Sequence, residues 1–500
     1  MNLDQLLSGI PHKIIQVGVD GTNADISSVT IDSRQVKLGT LFVCQRGYTV
    51  DGHSYINHAA KAGATAIMVE DLQQSYPASI TVIYVQNSRQ AIAYVAANFY
   101  GHPAKKLRLV GVTGTNGKTT TTYFIEETLR KLGRKTGIIG TIGARVGEVP
   151  LDISFATSTT PDQLELHAIF AKMVEIGVQE VVMEVSSHAL ALYKMEGLVF
   201  EVGVFTNLTQ DHLDFHGTME NYAAAKAQLF AQSKFAVVNN DDQYTPLMLK
   251  PHNGTVISYS KSAASDLQAS NIEYMPGGSN FELLDEMFSL NVGGKFNVYN
   301  ILATIGAVLA LSGGTGAAYL VKAAEGGLGA LCQAISQISG VPGRIQSVPN
   351  NLGVQIYVDY AHSPDGLTNI ISSVKEVTKG RVVTLFGCGG DRDTTKRPIM
   401  GKIAAELSDF CIITSDNPRT EDPLVIISHA EKGVKETTTP YEIFENRRDA
   451  IFAGVKMLQP GDALIIAGKG HEDYQEIDNI KYPFSDYDTA IEAIEKVVTI

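Results

Sequence analysis

Cysteine is scarce: the chain has four in 500 residues (Cys44, Cys332, Cys388 and Cys411), with no C-x-x-C pair among them. This argues against a structural zinc site and against a secreted disulfide framework, and a cytosolic chain is expected. The opening MNLDQLLSGIPHK lacks a basic stretch followed by an apolar one, and the most apolar run, Ile301 to Leu311, is too short to cross a bilayer. Neither a signal peptide nor a membrane anchor is expected. Basic residues are in deficit as well. Forty Lys+Arg against 53 Asp+Glu leave a formal charge of −13, which argues against a broad positive field for duplex nucleic acid or anionic lipid. Anionic small molecules stay within reach, because a few Lys, Arg and backbone N–H groups can hold a phosphate inside an acidic protein.

Apolar residues are plentiful, at 44%, and the length predicts about three domains. Short β-branched runs alternate with helical periodicity along nearly the whole chain, the pattern of α/β units with parallel strands buried on both faces. Strands are predicted at Ser28–Ile31, Leu41–Val43, Ala66–Val69 and Thr81–Val85, followed by a helix over Ser88–Phe99 that Gly101-His102-Pro103 breaks. A second series has strands near Leu107–Val112, Val181–Val185, Val202–Phe205 and Ala236–Val238. After Val341-Pro342-Gly343-Arg344 comes a third, with strands at Gln355–Val358, Val382–Phe386, Cys411–Thr414 and Ala463–Ala467. The domains are therefore expected at residues 1–104, 105–342 and 343–500.

The strongest local signal is LRLVGVTGTNGKTTTTYFIEETLRKLG, residues 107–133. An apolar strand enters a glycine-rich turn, and a helix follows whose Phe124, Ile125, Leu129 and Leu132 recur at helical spacing until Gly133 stops it. This is the context of a phosphate loop. Gly114 and Gly117 let backbone N–H groups approach phosphate, Lys118 reaches the terminal phosphates, and Thr119 offers a hydroxyl to Mg²⁺. A strict G-x-x-x-x-G-K-[ST] fails by one position, since residue 112 is Val and the glycine sits at 111. Glu184 ends an apolar run, as a Mg²⁺-binding carboxylate would, although a strand-end charge in solvent reads the same way. Asp211 to His216 packs two His and two Asp into six residues after another strand. In the third series each strand runs into a polar loop: Asp359–His362, Gly387–Arg392, Ser415–Arg419 and Gly468–Glu472. In an open parallel sheet such loops line one crevice, where ligands bind.

The strings TGTNGKTTT (113–121), EVSSHAL (184–190), TNLTQDHLDFHG (206–217), GKFNVYN (294–300), VDYAHSPD (358–365), GCGGDRD (387–393), SDNPR (415–419) and AGKGHEDYQ (467–475) resemble, in order, the motifs of the Mur ligases. TIDSRQVKLGTLFVCQRGYTVDGHSYI (30–56) is similar to the uridine-binding segment of that family. The resemblance covers all three domains. It implies an N-terminal nucleotide-sugar-binding domain, a central P-loop ATPase domain with a mostly parallel sheet, and a C-terminal Rossmann-like domain, all α/β. It implies a cytoplasmic ATP-dependent carboxylate–amine ligase of peptidoglycan precursor synthesis, acting through an acyl phosphate. ATP and Mg²⁺ would be cofactors. Lys118, His212 and Lys226 would be catalytic; Gly114, Thr115, Asn116, Gly117, Lys118, Thr119, Thr120, Asn297, Asn300, Arg344, Asp359 and His362 would bind ATP. Thr119, Glu184, His212 and Lys226 would hold Mg²⁺, the lysine as a CO₂-derived carbamate. Without the family, Lys226 in AAAKAQLF reads as a helix lysine on a solvated face, and Asn297 or Asn300 as the cap of a helix beginning near Asn300.

By the same resemblance Ser33, Arg34, Thr159, Thr160, Ser187 and Lys194 would contact a UDP-N-acetylmuramoyl-dipeptide substrate. Lys194 stands where the family usually has Arg, a point charge in place of a planar fork, and Thr394-Thr395-Lys396 replaces the frequent Lys-Gly-Lys. The amine is expected to be meso-diaminopimelate, read by Arg392, Asp416, Asn417, Arg419, Gly468 and Glu472. Its second carboxylate wants a fixed bidentate cation, and Arg419 is one. L-Lysine is the alternative amine, and a folylpolyglutamate or cyanophycin type of ligase, or a P-loop switch that forms no bond, are rival activities. The partners expected are small molecules, with no nucleic acid and no membrane, and the chain is expected to act as a monomer.

Overall fold

The computed structural model describes residues 1–47, 50–153, 159–275, 277–312 and 327–498; Tyr48 and Thr49 of the uridine-type segment lie outside them. The chain forms two compact units, Met1–Leu267 with Ala303–Gly327, and Gln268–Leu302 with Leu328–Ile500.

Among the described residues the first unit holds two sheets. The N-terminal one runs Lys13–Gln16, Thr81–Tyr84, Ala64–Val69, Thr40–Val43, Ser28–Thr30, parallel except for its first pair. The helix Ser88–Phe99 covers it, capped by Asn87 and closed through left-handed Gly101 and His102 before Pro103. In the larger sheet the strands Thr255–Ser260, Ser233–Asn239, Phe200–Phe205, Arg108–Thr113, Glu180–Glu184 and Thr136–Gly140 lie side by side and parallel. Their residues are apolar on both faces because helices cover both, which is why they read as continuous runs. Thr136–Gly140 is the instructive omission from the expected strands. A Cβ on Gly137 would lie 2.7 Å from Met173 Sδ, and one on Gly140 would lie 2.3 Å from Glu184 Oε1. Close approach therefore demands glycine there, and glycine erases the strand signature.

The second unit carries a sheet ordered Gln346–Ser347, Gln355–Asp359, Ala463–Ala467, Val382–Phe386, Phe410–Thr414, Tyr441–Phe444, all parallel but the first pair. Successive residues face opposite cores: Val382 and Phe386 join Met400, Ala404 and Ile427, whereas Val383 and Leu385 join Ile451, Val455 and Ala490. Both faces are buried, as in a doubly wound fold. The four polar loops leave the carboxyl ends of parallel strands and so share one sheet edge. Outside this sheet stand an antiparallel trio, Ser270–Met275, Gly278–Leu283 and Glu286–Leu290, and a hairpin, Tyr474–Ile477 with Ile480–Pro483. The helix expected near Asn300 begins at Asn297 and runs to Leu311. Among the described residues no helix is long and apolar enough to cross a membrane.

Candidate active site

The phosphate loop links the strand Arg108–Thr113 to the helix Lys118–Lys131. Two glycines make the turn. Gly117 is left-handed at φ 83°, and at Gly114 a Cβ would lie 1.9 Å from Thr206 Oγ1. The loop is braced from the neighbouring strand end: Thr115 N donates to Asn207 O (2.8 Å), Asn116 N to Asn207 Oδ1 (3.0 Å), and Thr206 Oγ1 to Asn116 O (2.6 Å). Lys118 Nζ bends back to the carbonyls of Gly114 (3.1 Å) and Thr115 (2.8 Å).

Glu184 meets this loop from the adjacent strand. Its Oε2 accepts from Thr119 Oγ1 (3.0 Å) and Thr141 Oγ1 (3.2 Å), and its Oε1 from Thr141 N (2.7 Å). Thr120 is buried on the same first helical turn. Lys226 overturns the solvated-face reading: it is 1% exposed, and its Nζ donates to Gly114 O at 2.7 Å, the carbonyl Lys118 also uses. Burial, and then the Lys118 charge, push its pKa well below the usual lysine value. Tyr222 lies against Lys226, with Nζ 4.6 Å from the ring centre, and its hydroxyl is 3.3 Å from Thr115 Oγ1. A ring cluster adjoins them: His212 lies 6.2 Å from Tyr222 and 5.0 Å from His188, and His188 lies 5.6 Å from His216 between centroids. Burial and the neighbouring His188 lower His216 to about 4, and His216 Nε2 sits 2.9 Å from Ser187 Oγ.

The remaining expected residues of the first unit fall in two places. Thr160 Oγ1 donates to Glu184 O (3.1 Å), Thr159 Oγ1 lies 3.5 Å from that of Thr141, and Lys194 Nζ is held by Asp162 (2.7 Å) and the Thr160 carbonyl (3.3 Å). Ser33 and Arg34 lie elsewhere, on a single helical turn capped by Asp32, and the exposed Arg34 forks onto Asp32 through Nε (2.9 Å) and Nη2 (2.7 Å).

In the second unit the four loops bring charged groups to one edge. Asp359 is buried, accepting from Ile345 N (2.8 Å) and Ala361 N (2.9 Å), and burial raises its pKa while Arg344 opposes the rise. Arg344 lies over the Tyr360 ring at 4.7 Å, and His362 Nδ1 donates to Tyr360 O (2.8 Å). Asn297 and Asn300 are both buried, and Asn300 Nδ2 donates to Asn297 Oδ1 (2.8 Å). Asn417 Nδ2 donates to Glu472 Oε2 (2.8 Å), and Asn417 N to Asp416 Oδ1 (2.6 Å). Arg419, left-handed at φ 52°, places Nη1 on Gly390 O (2.6 Å), whereas Arg392 is exposed. Gly468 is required: a Cβ there would lie 2.4 Å from Asp416 Oδ2.

Two buried cations of this edge escaped the sequence reading. Lys469 is fully buried and donates to Asn417 Oδ1 (2.8 Å) and Glu472 Oε2 (2.9 Å); its place between glycines after a strand was the available signal. Arg447, 1% exposed, forks onto Asp486 (2.7 Å twice) and donates to the carbonyls of Ser415 (3.3 Å) and Ala467 (3.0 Å), tying two strand ends together. Nothing local marks it, because Asp486 lies 39 residues on.

A phosphate loop at the strand–helix turn, beside an acidic strand end, defines a nucleotide-binding α/β protein, and the doubly wound unit gathers charged side chains at one sheet edge. Residues 25–100 match the family described as "Mur ligase family, catalytic domain", 112–308 "Mur ligase middle domain" and 343–470 "Mur ligase, glutamate ligase domain". Two curated proteins named UDP-N-acetylmuramoyl-L-alanyl-D-glutamate--2,6-diaminopimelate ligase are similar: one from Bacillus cereus, 44% identical with 94% of each chain covered, and one from Clostridium botulinum, 42% identical over 99% of this chain and 100% of its own. A solved structure bearing that enzyme name has a TM-score of 0.69 at 30% identity, with 99% of each chain covered. The chain belongs to the Mur ligase family.

Proposed function

We propose that the chain joins 2,6-diaminopimelate, in its meso form, to the D-glutamyl carboxylate of UDP-N-acetylmuramoyl-L-alanyl-D-glutamate, at the expense of ATP. The observation that carries this is the charged edge of the second unit, where Asn417 holds Glu472 and Arg419 is fixed on the Gly390 carbonyl, taken with full-length relatives that bear the corresponding name. An amine substrate with an ammonium and a carboxylate at its far end needs both signs of charge in one place. Glu472 and Asp416 suit the ammonium, and the Arg419 fork suits the carboxylate, with Arg392 and Gly468 beside them.

The chemistry runs in two displacements. A carboxylate oxygen attacks the γ-phosphorus, the bond to the β-phosphate oxygen breaks, and ADP leaves. The neutral amine then attacks the acyl carbon, phosphate departs with the former carboxylate oxygen, and the amine gives up a proton. Lys118 neutralises charge on the transferring group, and the loop backbone around Gly114, Thr115, Asn116 and Gly117 cradles the phosphates. Within the second unit Arg344, Asp359, His362, Asn297 and Asn300 are the candidates for the nucleotide, and within the first Ser33, Arg34, Thr159, Thr160, Ser187 and Lys194 are those for the UDP substrate.

Thr119 and Glu184 present hard oxygen donors that fit Mg²⁺, which would supply charge neutralisation for the phosphates. Lys226 as an ammonium cannot ligate a metal. Its burial beside a second cation favours the neutral amine, which can take up CO₂ and become an anionic oxygen donor alongside His212. Domain limits near residues 104 and 342, a monomer, and a cytoplasmic setting for the four free thiols are parts of the same reading.

The test is ADP release by the whole chain with ATP, Mg²⁺, the UDP-dipeptide and a panel of amines. ADP should appear only when carboxylate and amine are both present, fastest with diaminopimelate. Equal rates with lysine or ornithine would overturn the amine assignment, and slow ADP release independent of both would mark a nucleotide switch.

A further inference from the structure

The hairpin Tyr474–Ile477 with Ile480–Pro483 is docked on the SDNPR loop along its length. Gln475 Nε2 donates to Asp416 O (2.7 Å) and Glu476 N to Asn417 Oδ1 (2.9 Å). Arg419 N donates to Glu476 O (3.0 Å), and Asp478 N to Arg419 O (2.7 Å). These bonds hold Arg419 in its left-handed conformation, which a residue with a Cβ adopts at a cost. The side chain is held from the same strand: Arg419 Nε lies 3.2 Å from Glu476 Oε2, each group about one-fifth exposed.

A guanidinium has five N–H donors in a rigid plane. Here Nε–H faces Glu476 and one Nη1–H faces the Gly390 carbonyl. Nη2 has no partner among the described residues, and it shares with Nη1 the outer edge of the plane, which has the geometry that binds a carboxylate bidentately. Resting on the reading of Arg419 given above, we propose that Glu476 is a positioning residue for amine choice: its carboxylate fixes the inner edge of Arg419 so that the outer edge meets the distal carboxylate of the substrate. Two effects oppose each other. Glu476 also places a negative charge near an incoming carboxylate, which weakens attraction, but that charge sits on the far edge of the plane and is partly screened at this exposure. Ordering a long, rotamer-rich side chain before the substrate arrives outweighs that repulsion.

The test is steady-state ligation by the full chain in wild type, Glu476→Ala, Glu476→Gln and Arg419→Ala, with diaminopimelate and lysine as amines. In Glu476→Ala the KM for diaminopimelate should rise about two- to tenfold, the range for releasing one ordered side chain, with kcat and the KM values for ATP and the UDP substrate unchanged. The preference over lysine should fall by the same factor. Glu476→Gln keeps an acceptor oxygen for Nε–H and should recover most of the loss, and adding Glu476→Ala to Arg419→Ala should cost nothing more. An unchanged or lower KM in Glu476→Ala, or a glutamine variant as poor as the alanine one, overturns the positioning role. If Arg419→Ala itself leaves the preference intact, the reading of Arg419 fails instead.

Discussion

The phosphate loop and the charged edge of the second unit are held in shape by different means. Around Gly114 the donors are mostly backbone, set by one strand–helix turn and braced by the adjacent Thr206-Asn207. The charged edge is built from side chains that hold one another: Lys469 on Asn417 and Glu472, Arg419 on Glu476, Arg447 across two strand ends. A site of the first kind is a contiguous string in the sequence. One of the second kind is scattered from Asp359 to Glu476 and exists only once the sheet has formed.

Four substitutions probe the two regions separately. The largest effect is expected at the loop, where Lys118→Ala removes one charge from the transferring phosphoryl group and leaves the turn intact. Turnover should fall about 10²–10³-fold, or roughly 2.7–4 kcal/mol, with an unchanged melting profile. A variant that melts earlier would show that the lysine is needed to close the loop onto Gly114 and Thr115.

Arg419→Ala comes next. Truncating one partner of a charge pair costs about 2–5 kcal/mol, and because Arg419 is partly exposed the loss for diaminopimelate should lie near the lower end, in kcat/KM. Lysine should change little. Arg419→Lys should restore only part of the preference, since a point charge cannot reproduce the fork.

Gly140→Ala probes the acidic strand end from behind. The new methyl would lie 2.3 Å from Glu184 Oε1, so the carboxylate must turn away from Thr119 and Thr141. The Mg²⁺ concentration for half-maximal activity should rise about tenfold, as when a partner that orients a metal ligand is lost. An unchanged Mg²⁺ requirement would remove Glu184 from the metal site.

The smallest effect concerns the frame of the charged edge. Arg397, fully buried, forks onto Glu421 (2.8 and 2.9 Å) and donates to Gly389 O, and the hydrogen bonds from Arg397 hold the Glu421 carboxyl down at about 2. A folded-state pKa below the unfolded value of 4.5 adds stability that is fully present above pH 4.5 and is lost as pH falls toward about 2. Screening at its partly exposed edge limits the contribution to about 1–2 kcal/mol. Glu421→Gln should be less stable at neutral pH and should lose less of its stability between pH 5 and 2, as followed by denaturant unfolding.

How much of this could be read in advance follows from the same contrast. The loop, the parallel strands and the four polar loops were legible because each depends on neighbours in sequence. Lys226 was partly so. Its burial follows from register, since Tyr222, Ala223, Leu229 and Phe230 are buried along the same helix and Lys226 falls within their stripe, yet AAAKAQLF alone looks like a wet face. Lys469, Arg447 and Glu476 act through partners that strand order supplies, and edge elements such as the hairpin 474–483 are short and polar enough to pass as loop. The strand Thr136–Gly140 was hidden because the close approach of Met173 and Glu184 demands the residue type that strands avoid.

In the proposed chemistry the γ-phosphoryl group passes to a carboxylate at the loop, and the amine then displaces phosphate from the acyl phosphate so formed. Ligation with the D-glutamyl carboxylate of the UDP substrate labelled with ¹⁸O, ATP unlabelled and diaminopimelate as amine tests it directly by mass analysis of the products. One labelled oxygen is expected in the inorganic phosphate for every peptide bond formed, and one in the new amide carbonyl. Unlabelled phosphate accompanying normal peptide formation would contradict it.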